Sequence, residues 1–133
     1  MKYLLVFLML VNLPAWANWE WVSENENGVE IFVDFRTLRK DGNRVKFWRV
    51  TNYPKPVSAK GQNISSFRSR YEVDCKEETS RVLTVTAFSQ KDARGTDLGT
   101  ETYSEFDTKW EHIVPTSSMF TVLNRVCKTP VKP

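Results

Sequence analysis

From Phe67 to Cys75 the side chains alternate without a break. Phe67, Ser69, Tyr71, Val73 and Cys75 fall on one side, and Arg68, Arg70, Glu72 and Asp74 on the other. A period of two is the signature of a strand that buries one face and solvates the other. Residues 81–90, which carry Val-Leu-Thr-Val-Thr-Ala-Phe, follow a polar turn and read as its hairpin partner. The same alternation places Val29, Ile31, Val33 and Phe35 on one strand face. Residues 44–53 carry apolar side chains on both faces and are expected to run centrally, with shorter strands at 19–22 and 100–106. Residues 35–39 read as a single helical turn or bend, and 40–43 as a turn of residues that tolerate positive φ. Pro54 and Pro56 cannot donate to a ladder, so the central strand is expected to stop near Tyr53 and give way to one long loop reaching Ser66. A turn-rich connection is expected over 91–99.

The period changes after Trp110. Met119, Phe120, Leu123, Val126 and Cys127 recur every three or four residues, which predicts an amphipathic helix of roughly ten residues. Pro115 precedes it, and Thr116 or Ser117 supplies the cap. At the other end, Lys2, the apolar run from Tyr3 to Leu13, Pro14, and Ala15 and Ala17 flanking Trp16 form a secretory leader cut before Asn18. The run is shorter than the about 20 residues a membrane span needs. No cysteine lies at the cut to carry a lipid anchor, and no later segment is apolar enough to span a bilayer. The expected organisation is a leader over 1–17, one domain over 18–128 and a flexible tail over 129–133.

Export bears on the two cysteines, Cys75 and Cys127. An even count in an oxidising compartment reads as a disulfide. Closing a loop of about 52 residues stabilises the fold by roughly 4 kcal/mol in the chain-entropy model. Such a bridge pins the helix across the sheet. Neither cysteine has a histidine or second cysteine at zinc-site spacing.

Together the early tryptophan, Val33-Asp34 before the turn at Gly42, Val45 to Trp48 running to Asn52-Tyr53, the charged strand ending in Asp74-Cys75, and Trp110, Ile113, Pro115, Ser117 and Val126-Cys127 resemble the surface-adhesin protein E family of Gram-negative bacteria. The resemblance implies an α+β fold, a six-stranded antiparallel sheet with one C-terminal helix. It also implies adhesion to host matrix and serum proteins in some members. The adhesin that names the family resembles a lipoprotein; here the cleavage-site cysteine is missing, which makes the periplasm the simpler destination than surface display.

No catalytic pattern follows. His112 is the single histidine, and Gly-x-Ser-x-Gly, Ser-x-x-Lys and a phosphate-binding glycine loop are all missing. The carboxylates Asp34, Glu72, Asp74, Glu77 and Glu78 lack calcium-loop order and read as solvated strand and turn positions. A non-enzymatic protein without a cofactor is expected. The stronger signal is basic. Arg36, Arg39, Lys40, Arg44, Lys46 and Arg49 face only Asp41 in sequence, and Lys55, Lys60, Arg68 and Arg70 form a second group. Arg68 and Arg70 share a strand face about 7 Å apart.

A formal charge of +3 is too small for a dedicated nucleic-acid binder. Arg44, Lys46, Arg49, Lys60, Arg68 and Arg70 are the candidate contacts to sulfated glycans, acidic lipopolysaccharide or an acidic protein face. By the resemblance, Lys60, Arg68 and Arg70 are the nearest counterparts of a basic stretch that meets host proteins. A second copy of the chain is a further candidate partner. Aromatics make up 13% of the chain, and Trp19 and Trp21 share a strand face. The alternative reading is therefore a periplasmic carrier of haem or lipid whose tryptophans line a pocket.

Overall fold

The computed structural model describes residues 17–131. Except for Ala17, the expected leader lies outside them. Seven strands form one antiparallel sheet: β1 (Glu20–Glu24), β2 (Glu30–Asp41), β3 (Arg44–Ala59), β4 (Gln62–Asp74), β5 (Thr79–Gln90), β6 (Arg94–Thr102) and β7 (Glu111–His112). The first six lie side by side in chain order, and β7 pairs with the start of β5. A single α-helix among the described residues, α1 (Ser118–Lys128), ends the fold. This is the expected α+β architecture, with the short β7 added.

The core lies between one sheet face and α1. Val22, Ile31, Val33, Leu38, Val45, Phe47 and Val73 from the strands meet Ile113 and the helical Val122, Leu123 and Val126. The three helical residues fall at spacings of one, three and four, so one stripe of α1 is buried. Ser117 caps its start through a hydroxyl that accepts from Phe120 N. At the other end the Lys40 ammonium donates to the carbonyls of Cys127 (3.3 Å) and Thr129 (2.7 Å), acceptors left open by the end of the helix. The Cys75–Cys127 disulfide joins the end of β4 to the same turn, with 5.9 Å between Cα atoms.

Three stretches differ from the sequence expectation. Of the turn-rich connection expected over 91–99, only Lys91–Ala93 is a turn, a short 3-10 helix; β6 already runs from Arg94 to Thr102 and ends before the expected 106, its glycines and turn residues absorbed by two register shifts against β5. Residues 35–39 form no helical turn; they continue β2 through a bulge that shifts its register between Asp34 and Arg39. Asp34 holds the bend. Its Oδ1 accepts from Arg36 N (3.1 Å) and its carbonyl from Thr37 Oγ1 (2.6 Å), while that hydroxyl accepts from Trp48 N (3.0 Å). Local hydrogen bonds of this kind bend a strand without ending it. The expected loop over 54–66 is instead a long hairpin. The prolines fall between Asn52 and Val57, where register is broken, and pairing resumes at Val57 with Ile64. Proline is tolerated there because the bulged stretch asks for no ladder donor. The turn itself is Lys60-Gly61, with φ of 50° and 74°.

Candidate basic interface

The sheet face opposite the helix is built by register. Lys46 pairs with Arg39 on β2 and Glu72 on β4, Trp48 pairs with Arg70, and Val50 pairs with Arg68. The bulge in β2 brings Arg39 into this row. Together Arg39, Lys40, Asp41, Arg44, Lys46, Arg70 and Glu72 line a cleft of about 260 Å³. Five cations there meet two carboxylates, and one of those is already committed. Glu72 Oε1 accepts from Arg81 Nε at 2.8 Å, and both residues are buried. The Trp110 ring lies against the Arg81 guanidinium at 4.5 Å and that of Arg44 at 5.0 Å. Arg44 also approaches Asp74 at 3.7 Å. Lys46 pairs with Glu105 at 2.8 Å. The hydrogen bond from Lys46, then its charge, holds the Glu105 carboxyl below the usual range. Arg39 and Arg70 make no salt bridge among the described residues, although the charge of Arg70 also acts on Glu105.

The structure thus brings three of the six expected contact residues, Arg44, Lys46 and Arg70, into one cleft. Arg68 lies on the same face, but its guanidinium is stacked over Trp48 (5.6 Å) and Phe88 (5.1 Å). Lys60 stands at the hairpin turn, several residues along β3 and β4. Arg49 belongs to the opposite face, beneath α1, where it meets Met119 and Tyr71. Sequence reasoning missed Arg81 and Trp110 as parts of this face. The Arg81–Glu72 pairing depends on the register shift between Arg70 and Tyr71, and no period-two count reveals that shift. His112 is exposed in β7. The tryptophans do not converge: Trp48 lies under Arg68, Trp110 against Arg44 and Arg81, and Trp21 stands 51% exposed on β1.

A single-layer meander, stapled on one face to a terminal helix and dressed with arginines on the other, defines a small α+β binding domain. The chain belongs to the surface-adhesin protein E family, whose model matches residues 19–128. Among solved structures it is similar to Haemophilus influenzae protein E. One crystal form gives a TM-score of 0.61 at 12% identity, covering 80% of this chain and 86% of that one. Another protein E structure gives 0.59 at 13% identity, covering 82% and 83%. Protein E from non-typeable Haemophilus influenzae gives 0.56 at 12%, covering 88% and 78%. At these identities the likeness concerns the fold. No curated protein matches the chain. Membership makes it an exported, adhesin-type binding protein. No helix among the described residues is long and apolar enough to cross a membrane.

Proposed function

We propose that the chain is an exported, non-enzymatic adhesin whose basic face grips an acidic partner, a host matrix or serum protein or a sulfated glycan. The observation that carries this reading is the cleft in which Arg39 and Arg70, neither in a salt bridge among the described residues, stand beside Arg44 and Lys46. Guanidinium is weakly hydrated and offers a planar fork that fits carboxylate and sulfate. A protein partner is favoured over a glycan alone by Phe106. It is 99% exposed on a turn fastened by Ser104 Oγ donating to Asp107 Oδ2 at 2.8 Å. The Lys46–Glu105 pair ties that turn to the cleft. An exposed aromatic beside arginines is the composition of an interface hot spot.

Immobilised heparin and matrix proteins provide the test. Binding weakens from about 0.1 M to about 1 M salt, as the screening length falls from about 10 Å to about 3 Å. Arg39→Ser/Arg70→Ser reduces affinity by about tenfold or more, the equivalent of one charge-assisted contact. Phe106→Ala weakens protein capture and leaves heparin retention in place. Retention of both ligands by the double mutant at parental affinity would discard this face.

A further inference from the structure

Arg49 lies half-buried on the helix side of β3, its Nε closed to solvent, with no carboxylate paired to it among the described residues. Its Nη2 donates to the Tyr71 hydroxyl at 3.0 Å, its Cζ lies 4.0 Å from the centre of the same ring, and Nη1 rests on Met119 Sδ at 3.2 Å. Thioether sulfur is a weak acceptor. Nε is buried with no acceptor at all. A guanidinium taken out of water without a counter-charge is costly, and chains retain one where something answers it. Burial pushes its pKa below the ordinary arginine value, yet arginine remains a cation in proteins.

A cleft of about 640 Å³ opens beside Arg49, between the β1–β2 turn and the first turn of α1. Two further features border it. Ser23 lines the cleft, and its Oγ, like Arg49 Nε, is buried without a partner. The first N–H groups of a helix have no intrahelical acceptor, and here the Ser117 hydroxyl takes only that of Phe120. Ser118 and Met119 line the wall behind the Ser117 cap, so the positive end of the helix borders the same space. Glu24 and Glu26 line it as well, both exposed. They repel a bare polyanion and favour a ligand that carries a cation next to its anion.

We propose that this cleft binds an amino-acid-type zwitterion. Its carboxylate lodges against Arg49, Ser23 and the start of α1 as Met119 moves aside, and its ammonium faces Glu24 and Glu26. The site is on the opposite sheet face from the basic cleft and does not depend on the adhesin reading. An unbranched, three-torsion methionine suits the role of a movable cover.

Nitrogen-15 NMR of the protein, following the Arg49 Nε–H resonance and the Ser118 and Met119 amides, tests this directly. The probes are glycine, glutamate, triglycine, acetate and inorganic phosphate. Glycine or glutamate shifts these signals saturably, and acetate and phosphate bind at least about tenfold more weakly, the loss expected without the ammonium contact. Triglycine binding more tightly than glycine assigns the site to peptide ends rather than free amino acids. Arg49→Gln abolishes the shifts. Because that variant changes a packed, half-buried residue, Glu24→Gln/Glu26→Gln at exposed positions is the second probe, and it brings amino-acid affinity down to that of acetate. The proposal fails if no probe moves the three signals, if acetate or phosphate matches the amino acids, or if the glutamate variant binds as the parent does.

Discussion

Two carboxylates show how single residues set this structure. Glu72 and Arg81 are both buried and bonded to each other, with Trp110 covering the arginine. Breaking such a pair strands a largely buried charge, so Glu72→Ala is expected to cost about 3–5 kcal/mol, read as a shifted denaturant midpoint. Asp34 acts differently. Burial pushes its pKa up, but hydrogen bonds from the Arg36 side chain and from the Arg36 and Asn18 backbone outweigh that, and the net direction is down. A carboxyl depressed by folding contributes stability that is present above its unfolded pKa of about 3.9 and is lost as pH falls through the folded value. Asp34→Asn should flatten that acid limb of the stability profile; an unchanged slope below about pH 4 would show the bulge does not depend on the charge. Asn18 N lies 3.2 Å from Asp34 Oδ2. A leader cut before Asn18 makes that nitrogen an ammonium, so a chain starting there should be about 1 kcal/mol more stable than one with residues left in front, the gap between a charged and a neutral hydrogen bond. Matched thermal melts of the two chains check it.

At the scale of elements, α1 is secured at both ends rather than by its own propensity, which is marginal for 11 residues. Ser117→Ala removes the cap and should cost about 1 kcal/mol. Reducing the Cys75–Cys127 bridge, which spans 52 residues, should cost about 4 kcal/mol in the chain-entropy model. Hydrogen exchange would show the helix amides losing protection before those of β3 and β4 if the bridge mainly holds α1. What could be read from the sequence follows the same division. The β4 alternation, the β5 partner and the three-and-four spacing of α1 were legible because each repeats over several residues. The extension of β3 past Pro54 and Pro56 was not, since a proline is judged by its missing donor and a bulge removes the need for one. The basic face was legible in composition, with Arg44, Lys46 and Arg70 gathered as the alternation of β3 and β4 allows. Arg49 was counted with them although its odd position on β3 turns it to the helix side. Sequence spacing alone did not say which face the helix would cover.

The whole molecule has two unlike faces and two free edges, and its behaviour in solution depends on how the edges are defended. β6 forms the outer edge beside most of β5, and of its nine residues only Leu98 is even half-buried. An exposed edge of that length is a template for pairing with another chain. The chain counters this with Asp97 and Glu101 on the strand and with Gly95 and Gly99, whose φ values of 79° and 127° interrupt its regular extension. Asp97 Oδ1 also accepts from Gly99 N at 2.9 Å, which fixes the irregularity. The charges and the bent backbone therefore act together: one makes approach of a like edge unfavourable, the other spoils its register. Asp97→Asn keeps an acceptor for Gly99 while removing charge, and Glu101→Val adds a residue that favours strands. The Asp97→Asn/Glu101→Val variant should show a sedimentation coefficient that rises with concentration above that of the parent, most clearly at high salt where the remaining charges are screened. Superimposable sedimentation of the two proteins at every concentration would mean that the glycine-broken backbone alone protects the edge, and that the acidic residues on β6 serve solubility or a partner instead.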